Sequence, residues 1–143
     1  MTQGLPASDF GVTAPILDSS SCHSGSPLSI DSDGNAILGA KASGSPLVFG
    51  LAEFPRTEGE IVPIRFLGPL TLSIEQWNNV ALTAGNTPAT DGLTPGAVYQ
   101  QWSGGKINTG GGFMSVGDII WDVGVALSPT TLLILPRAPA TAN

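Results

Sequence analysis

Apolar residues in this chain come in short runs, each ended by glycine, proline or a small polar residue. Between Asp91 and Pro136 these runs predict one strand after another, with no room for a helix. Ala97 to Trp102 carries Val98, Tyr99 and Trp102, side chains that suit a pleated, half-buried surface. Ser103, Gly104 and Gly105 turn the chain, and Lys106 to Asn108 is long enough for a short return strand. Gly110 to Gly112 reads as a flexible hairpin tip. Ile119 to Leu127 and Thr131 to Leu135 are apolar runs separated by Ser128-Pro129, and so tight a breaker predicts an antiparallel pair.

Upstream, Leu28 to Ile30 and Ala36 to Ala40 flank Asp31-Ser32-Asp33-Gly34-Asn35. Asp-Gly between two apolar runs signals a hairpin. The alternating acids resemble a calcium loop, but the glycine is misplaced and the twelfth residue is Ala42 rather than Glu, so the stretch reads as a turn. Leu47 to Glu53 and Ile61 to Phe66 follow as strands, and Pro63 marks the second as an edge or a bulge. Ser73, followed three residues later by Gln76, has the form of a capping box and predicts a helical turn or two ending near Asn78-Asn79. Together the runs predict an all-β fold over 28–136, a single antiparallel barrel or sandwich with one short helical turn.

Met1 to Pro27 is rich in Ser, Gly and Pro and too poor in apolar residues to fix itself. It reads either as a disordered tail or as an extended arm that orders against a neighbouring subunit through Phe10, Val12, Ile16 and Leu17. Residues 137–143 read as a flexible tail.

Composition changes the picture in one respect. Charged residues make up only 11% of the 143, against about a quarter in ordinary soluble domains. So few charges guard a small monomer poorly against self-association, and part of its surface is expected to be covered by protein. The net charge of −6 and the lack of a basic stripe argue against nucleic-acid phosphates and anionic membrane surfaces as partners. No apolar run approaches the roughly 18 residues that cross a bilayer, and MTQGLPASDF lacks the pattern of a secretory signal, so cytoplasmic synthesis is expected. Cys22 is a lone cysteine and permits no internal disulfide.

Candidate chemistry is sparse. Cys22 and His23 are adjacent, so on an extended chain they point to opposite sides, and no second Cys or His completes a zinc set. They read as part of a solvated tail. Glu53, Glu58 and Glu60, with Arg56 among them, could serve glycoside hydrolysis if held across a cleft, but read as solvated charges or a surface ion pair. Asp118 and Asp122 fall on one side of a strand and read as an outward polar face. Gly104-Gly105-Lys106 lacks the rest of a phosphate-binding loop. Trp77, Tyr99, Trp102 and Trp121 read as core or subunit contacts, with a sugar-stacking platform as the alternative. No cofactor or metal is implied, and no nucleophile-plus-base arrangement is visible. The residues describe a non-enzymatic β-domain that associates with protein.

Three stretches resemble a β-domain found in tailed-phage capsid decoration, head-fibre and tail-associated proteins. They are Ile74 to Asn78, Gly92 to Tyr99, and Val123 to Ile134, the last two similar to that family's GGLTPG and VGxALSxTTLLI signatures. The chain departs from the pattern at Gln100-Gln101-Trp102, where the family has a second aromatic followed by Leu-Ser. The resemblance implies a cement protein made in the host cytoplasm and carried on the outer capsid surface of the virion. It would act as a homotrimer that ties major capsid protein subunits together. Phe10, Val12, Ile16 and Leu17 would then be arm contacts, and Trp102 and Phe113 contacts on exposed hairpins. The alternative it implies is a head- or tail-fibre module that binds a host surface glycan through Trp102.

Overall fold

The computed structural model describes residues 15–39, 48–83, 86–109, 118–135 and 140–141. Its first strands are β1 (Ser21–Cys22), β2 (Pro27–Ile30), β3 (Ala36–Leu38), β4 (Val48–Ala52), β5 (Arg56–Thr57), β6 (Ile64–Arg65) and β7 (Gly68–Thr71). Helix α1 (Ile74–Asn78) follows, then β8 (Ala81–Thr83), β9 (Thr87–Pro88), β10 (Val98–Trp102) and β11 (Lys106–Asn108). The last are β12 (Ile119–Ile120), β13 (Asp122–Ser128), β14 (Thr131–Ile134) and β15 (Ala140–Thr141). The fold is all-β as expected, and of the two expected forms it is the sandwich-like one, since no barrel closes.

A seven-stranded sheet runs in the order β7-β14-β13-β10-β11-β8-β9, and a four-stranded sheet in the order β3-β2-β4-β6. Two strand pairs, β1-β5 and β12-β15, complete the described sheets. Neighbours are antiparallel except β8 and β11, which run parallel. The expected pair across Ser128-Pro129 is present, with Val125 opposite Leu133 and Ala126 opposite Leu132. The Asp31 turn also forms as expected. Asp31 Oδ1 accepts from the backbone N–H of Asp33 and of Asn35, each at 2.9 Å.

The helix begins where its cap predicts. Ser73 Oγ accepts from Gln76 N at 3.1 Å, and Gln76 Oε1 accepts from Ser73 N at 2.9 Å, so two orphan donors are satisfied reciprocally. α1 carries Trp77 into the larger of two cores. That core also holds Tyr99, Trp121, Leu132, Ile134 and, from the facing sheet, Leu51. A polar side chain interrupts it: the Gln101 amide is buried with no partner among the described residues, at a cost of roughly 1–3 kcal/mol.

One corner of this core is tied by hydrogen bonds between α1, the 90–97 loop and the β13–β14 turn. Trp77 Nε1 donates to Thr130 O at 2.9 Å, and Gly92 N donates to Asn78 Oδ1 at 2.8 Å. Leu93 N donates to Pro129 O at 2.9 Å, and Gly96 N to Ala126 O at 2.7 Å. Gly92 has a φ of +77°, and a Cβ there would lie 2.5 Å from Pro129 O, so glycine is required for the loop to close on the turn.

The smaller core gathers Leu17, Cys22, Leu28, Ala36, Val62 and Ile64. β4 serves both cores, Leu51 facing one and Ala52 the other, because successive strand side chains point to opposite faces. Residues 15–18 close the smaller core from the N-terminal side. On one edge Ala36 N donates to Ile16 O and Asp18 N to Ala36 O; on the other Leu17 N donates to Glu60 O, Gly59 N to Leu17 O and Val62 N to Pro15 O. This corrects the expectation that the folded unit starts at Leu28. The stretch is too polar to bury itself, but its backbone is paired on both edges, which fixes it without an apolar run.

Candidate protein-interaction surface

Phe10, Val12 and Phe113 lie outside the described residues. Of the other expected contact residues, only Ile16 is exposed, at 48%. Leu17 is wholly buried in its own chain, so it is a core residue and not an arm anchor. Trp102 is 7% exposed. The tip of the β10–β11 hairpin is exposed at Ser103 and Gly104, but Gly105 at its base is buried against Leu38. The indole therefore offers no open stacking face, and Trp77, Tyr99 and Trp121 are buried as well.

The candidate chemistry disperses in the same way. Cys22 is buried, not in a solvated tail, and its thiol lies 3.8 Å from Phe54 O. Burial pushes its pKa up, partly offset by its hydrogen bond to the Arg56 backbone and by the Arg56 charge. His23 points out to solvent, as the alternation requires. Glu53 pairs with Arg65, Nη2 to Oε2 at 2.6 Å, rather than with Arg56. Glu60 Oε1 accepts from Thr57 N at 2.7 Å and from Thr57 Oγ1 at 2.9 Å. These bonds hold its pKa below the ordinary value, the backbone N–H contributing most. Glu58 is exposed.

Asp118 is buried rather than on an outward face. The strand breaks at Trp121, between β12 and β13, so the period-two argument does not carry from Asp118 to Asp122. Among the described residues no three His, Cys, Asp or Glu side chains stand close enough to hold a metal. A cleft of about 270 Å³ between Thr83, the 89–95 segment and Pro129 is lined by Thr83, Thr90, Asp91 and Thr94 among others, and none of its described lining residues is basic.

What the surface does offer is apolar. Registers across β10, β13, β14 and β7 align Val98, Val125, Leu133 and Pro69 in one row. Val98 and Pro69 are exposed, and Val125 and Leu133 half-buried. The row faces away from the core, because its neighbours Tyr99, Gly124 and Ile134 point inward. A shallow depression of about 90 Å³ lies beside it, lined by Val98, Asp122, Gly124, Val125 and Leu135. Leu127, at the bulge of β13, is the most exposed large apolar side chain of those described, at 57%.

None of these residues was singled out from the sequence as an interaction surface, yet a signal was there. Val123-Gly124-Val125-Ala126-Leu127 and Leu132-Leu133-Ile134-Leu135 are continuous apolar runs, the pattern of strands covered on both faces. Comparison of the chain with family models, with curated proteins and with solved structures finds no match.

Proposed function

We propose that this chain is a tailed-phage capsid decoration protein: a non-enzymatic β-domain that binds the outer surface of the assembled shell as a trimer and bridges major capsid protein subunits. The observation that carries this reading is the outer face of the seven-stranded sheet. β13 and β14 have the composition of doubly covered strands, and among the described residues no second layer covers their outward row. Burial of such a face is worth about 25 cal/mol per Å². A sparsely charged, acidic chain is suited to resting on protein, away from packaged DNA. The corner tied by Asn78, Gly92, Pro129 and Thr130 explains why the resembling residues occur together: they build the scaffold, and the contact surface is mounted on it.

The mechanism is linkage. A ligand that binds only the assembled shell stabilises it at each site by RT ln(1 + [L]/Kd), and repetition over the lattice raises resistance to rupture. The burial of Trp102 removes it both as the glycan-stacking platform of the alternative and as the shell contact expected on its hairpin, so the sheet face carries the shell reading.

Adding the purified chain to capsids that lack it tests the proposal. The expected result is saturable binding at hundreds of copies per particle and a higher rupture temperature. Leu127→Glu places a charge on the exposed face without touching either core, and is expected to abolish binding while the free protein stays folded. Failure of the wild-type chain to bind capsids, or a copy number of a few per particle, would overturn the reading.

A further inference from the structure

Away from the sheet face, a second apolar patch is assembled from two segments of the chain, 15–17 and 54–61. Ile16 and Ile61 face each other across an antiparallel bridge, and both are exposed, Ile61 at 40%. Arg56 links them to Phe54, itself 51% exposed. Its guanidinium lies 5.3 Å from the Phe54 ring centroid. Arg56 Nε donates to Ile61 O at 3.0 Å, and Nη1 donates to Pro55 O at 2.8 Å. The cation is therefore held in place before any partner arrives, and a preorganised Arg over an aromatic, flanked by aliphatics, has the composition of a binding hot spot.

The charges on this patch are incomplete. Among the described residues no carboxylate pairs with Arg56: Glu53 is taken by Arg65, and Glu60 by Thr57. Glu58, two residues along, is exposed; its backbone N–H donates to Ser20 O at 3.1 Å, but its carboxylate pairs with no side chain among the described residues. The Arg56 charge reaches Glu60 and helps lower its pKa, but neither Arg56 nor Glu58 has a carboxylate or cation within ion-pair distance among the described residues.

We infer that this patch is a two-fold contact with a second copy of the chain, in which Arg56 of each protomer meets Glu58 of the other around Phe54, Ile16 and Ile61. A two-fold contact is isologous, so whatever one protomer offers is met twice. An unrelated acidic partner would satisfy Arg56 but set Glu58 against another acid; a second copy satisfies both. This goes beyond the shell-binding proposal and does not rest on it. The patch is built from the 15–17 and 54–61 segments, and the shell-facing row from β7, β10, β13 and β14, so the contact can pair monomers or pair trimers.

The test is sedimentation or light scattering of the free protein over a range of concentrations. Expected is a two-fold step, monomer to dimer or trimer to hexamer, that Arg56→Glu and Glu58→Arg each weaken at least about tenfold. The double exchange Arg56→Glu with Glu58→Arg restores it, which a foreign partner could not reproduce. Glu58→Arg alters no hydrogen bond within the described chain, so it remains informative if Arg56→Glu disturbs the loop. Absence of the two-fold step in the wild type, single variants that associate normally, or a double exchange no better than the singles would each overturn the inference. Capsid binding, read separately through Leu127→Glu, fails or succeeds independently.

Discussion

The core beneath the seven-stranded sheet holds Trp77, Tyr99 and Trp121, and apart from Leu51 its residues follow one another from Leu70 to Ile134. The core of the four-stranded sheet has no aromatic side chain among those gathered there, and it depends on Leu17, which bonds through its backbone to Gly59 and Glu60 while its neighbours Ile16 and Asp18 bond to Ala36. One core is thus held by large buried rings. The other is held by a short N-terminal segment whose backbone bonds bring distant strands together. Buried aromatic rings contribute more apolar area per side chain than the aliphatic residues of the smaller core. The larger core is expected to be the stable unit and the smaller one the first to open.

The hardest test is Trp77→Ala. Removing a buried Trp costs about 3–5 kcal/mol, and here Thr130 O also loses its donor. Because Trp77 Cζ3 lies against Gly25, which leads into the smaller core, both cores are expected to fail together in one denaturation transition. Leu17→Ala, at about 2–5 kcal/mol, should behave differently. Its expected signature is local: Cys22 becomes at least about tenfold faster to label under native conditions, while fluorescence from the three tryptophans is unchanged. If Cys22 labelling and tryptophan fluorescence respond together, the two cores are one cooperative unit and the comparison fails.

Gly25→Ala tests the seam between them. Gly25 has a φ of +87°, and a Cβ there would lie 2.9 Å from Trp77 Cζ3 and 3.0 Å from Val80 Cγ2. Overpacking of this kind costs about 1–3 kcal/mol. Thermal unfolding followed by both Cys22 labelling and fluorescence should shift by the same amount, since the seam belongs to both cores.

The same contrast explains what could be read from the sequence. The larger core was legible because its signals are local: the Ser73 and Gln76 capping pair, the Asp91 to Gly96 turn, the Ser128-Pro129 breaker and two flanking apolar runs. The smaller core was legible only in part: the Asp31 turn and its flanking strands were, but Leu17 was not, because it owes its burial to backbone pairing with strands that no nearby residue announces. Trp102 shows the same limit. Its place on a hairpin was legible, but the folding of that hairpin against Leu38 was not. The exposed row through Val125 and Leu133 was visible only as an apolar run, since composition does not say which face of a strand the molecule leaves uncovered.

Ser73→Ala removes a cap that serves only the larger core. The expected loss is about 1 kcal/mol, with no change in Cys22 labelling under native conditions. A rise in labelling would mean that fraying of α1 reaches the smaller core through Gly25.

The smallest effect expected is on Glu60, whose backbone O accepts from Leu17 N and whose side chain is held by Thr57. Its folded pKa is lowered, so its carboxylate contributes stability that is complete above the unfolded value, about 4.3, and is lost as the pH falls through the folded value. Glu60→Gln should therefore lower stability slightly at neutral pH and by a shrinking amount as the solution is acidified through that window. The difference should be read in Cys22 labelling before it is read in fluorescence, because the loop that Glu60 anchors is one edge of the slot that receives Leu17. An acid-dependent gap seen equally by both probes would place the 57–60 turn in the larger unit, and would leave the smaller core resting on its pairing with β3 alone.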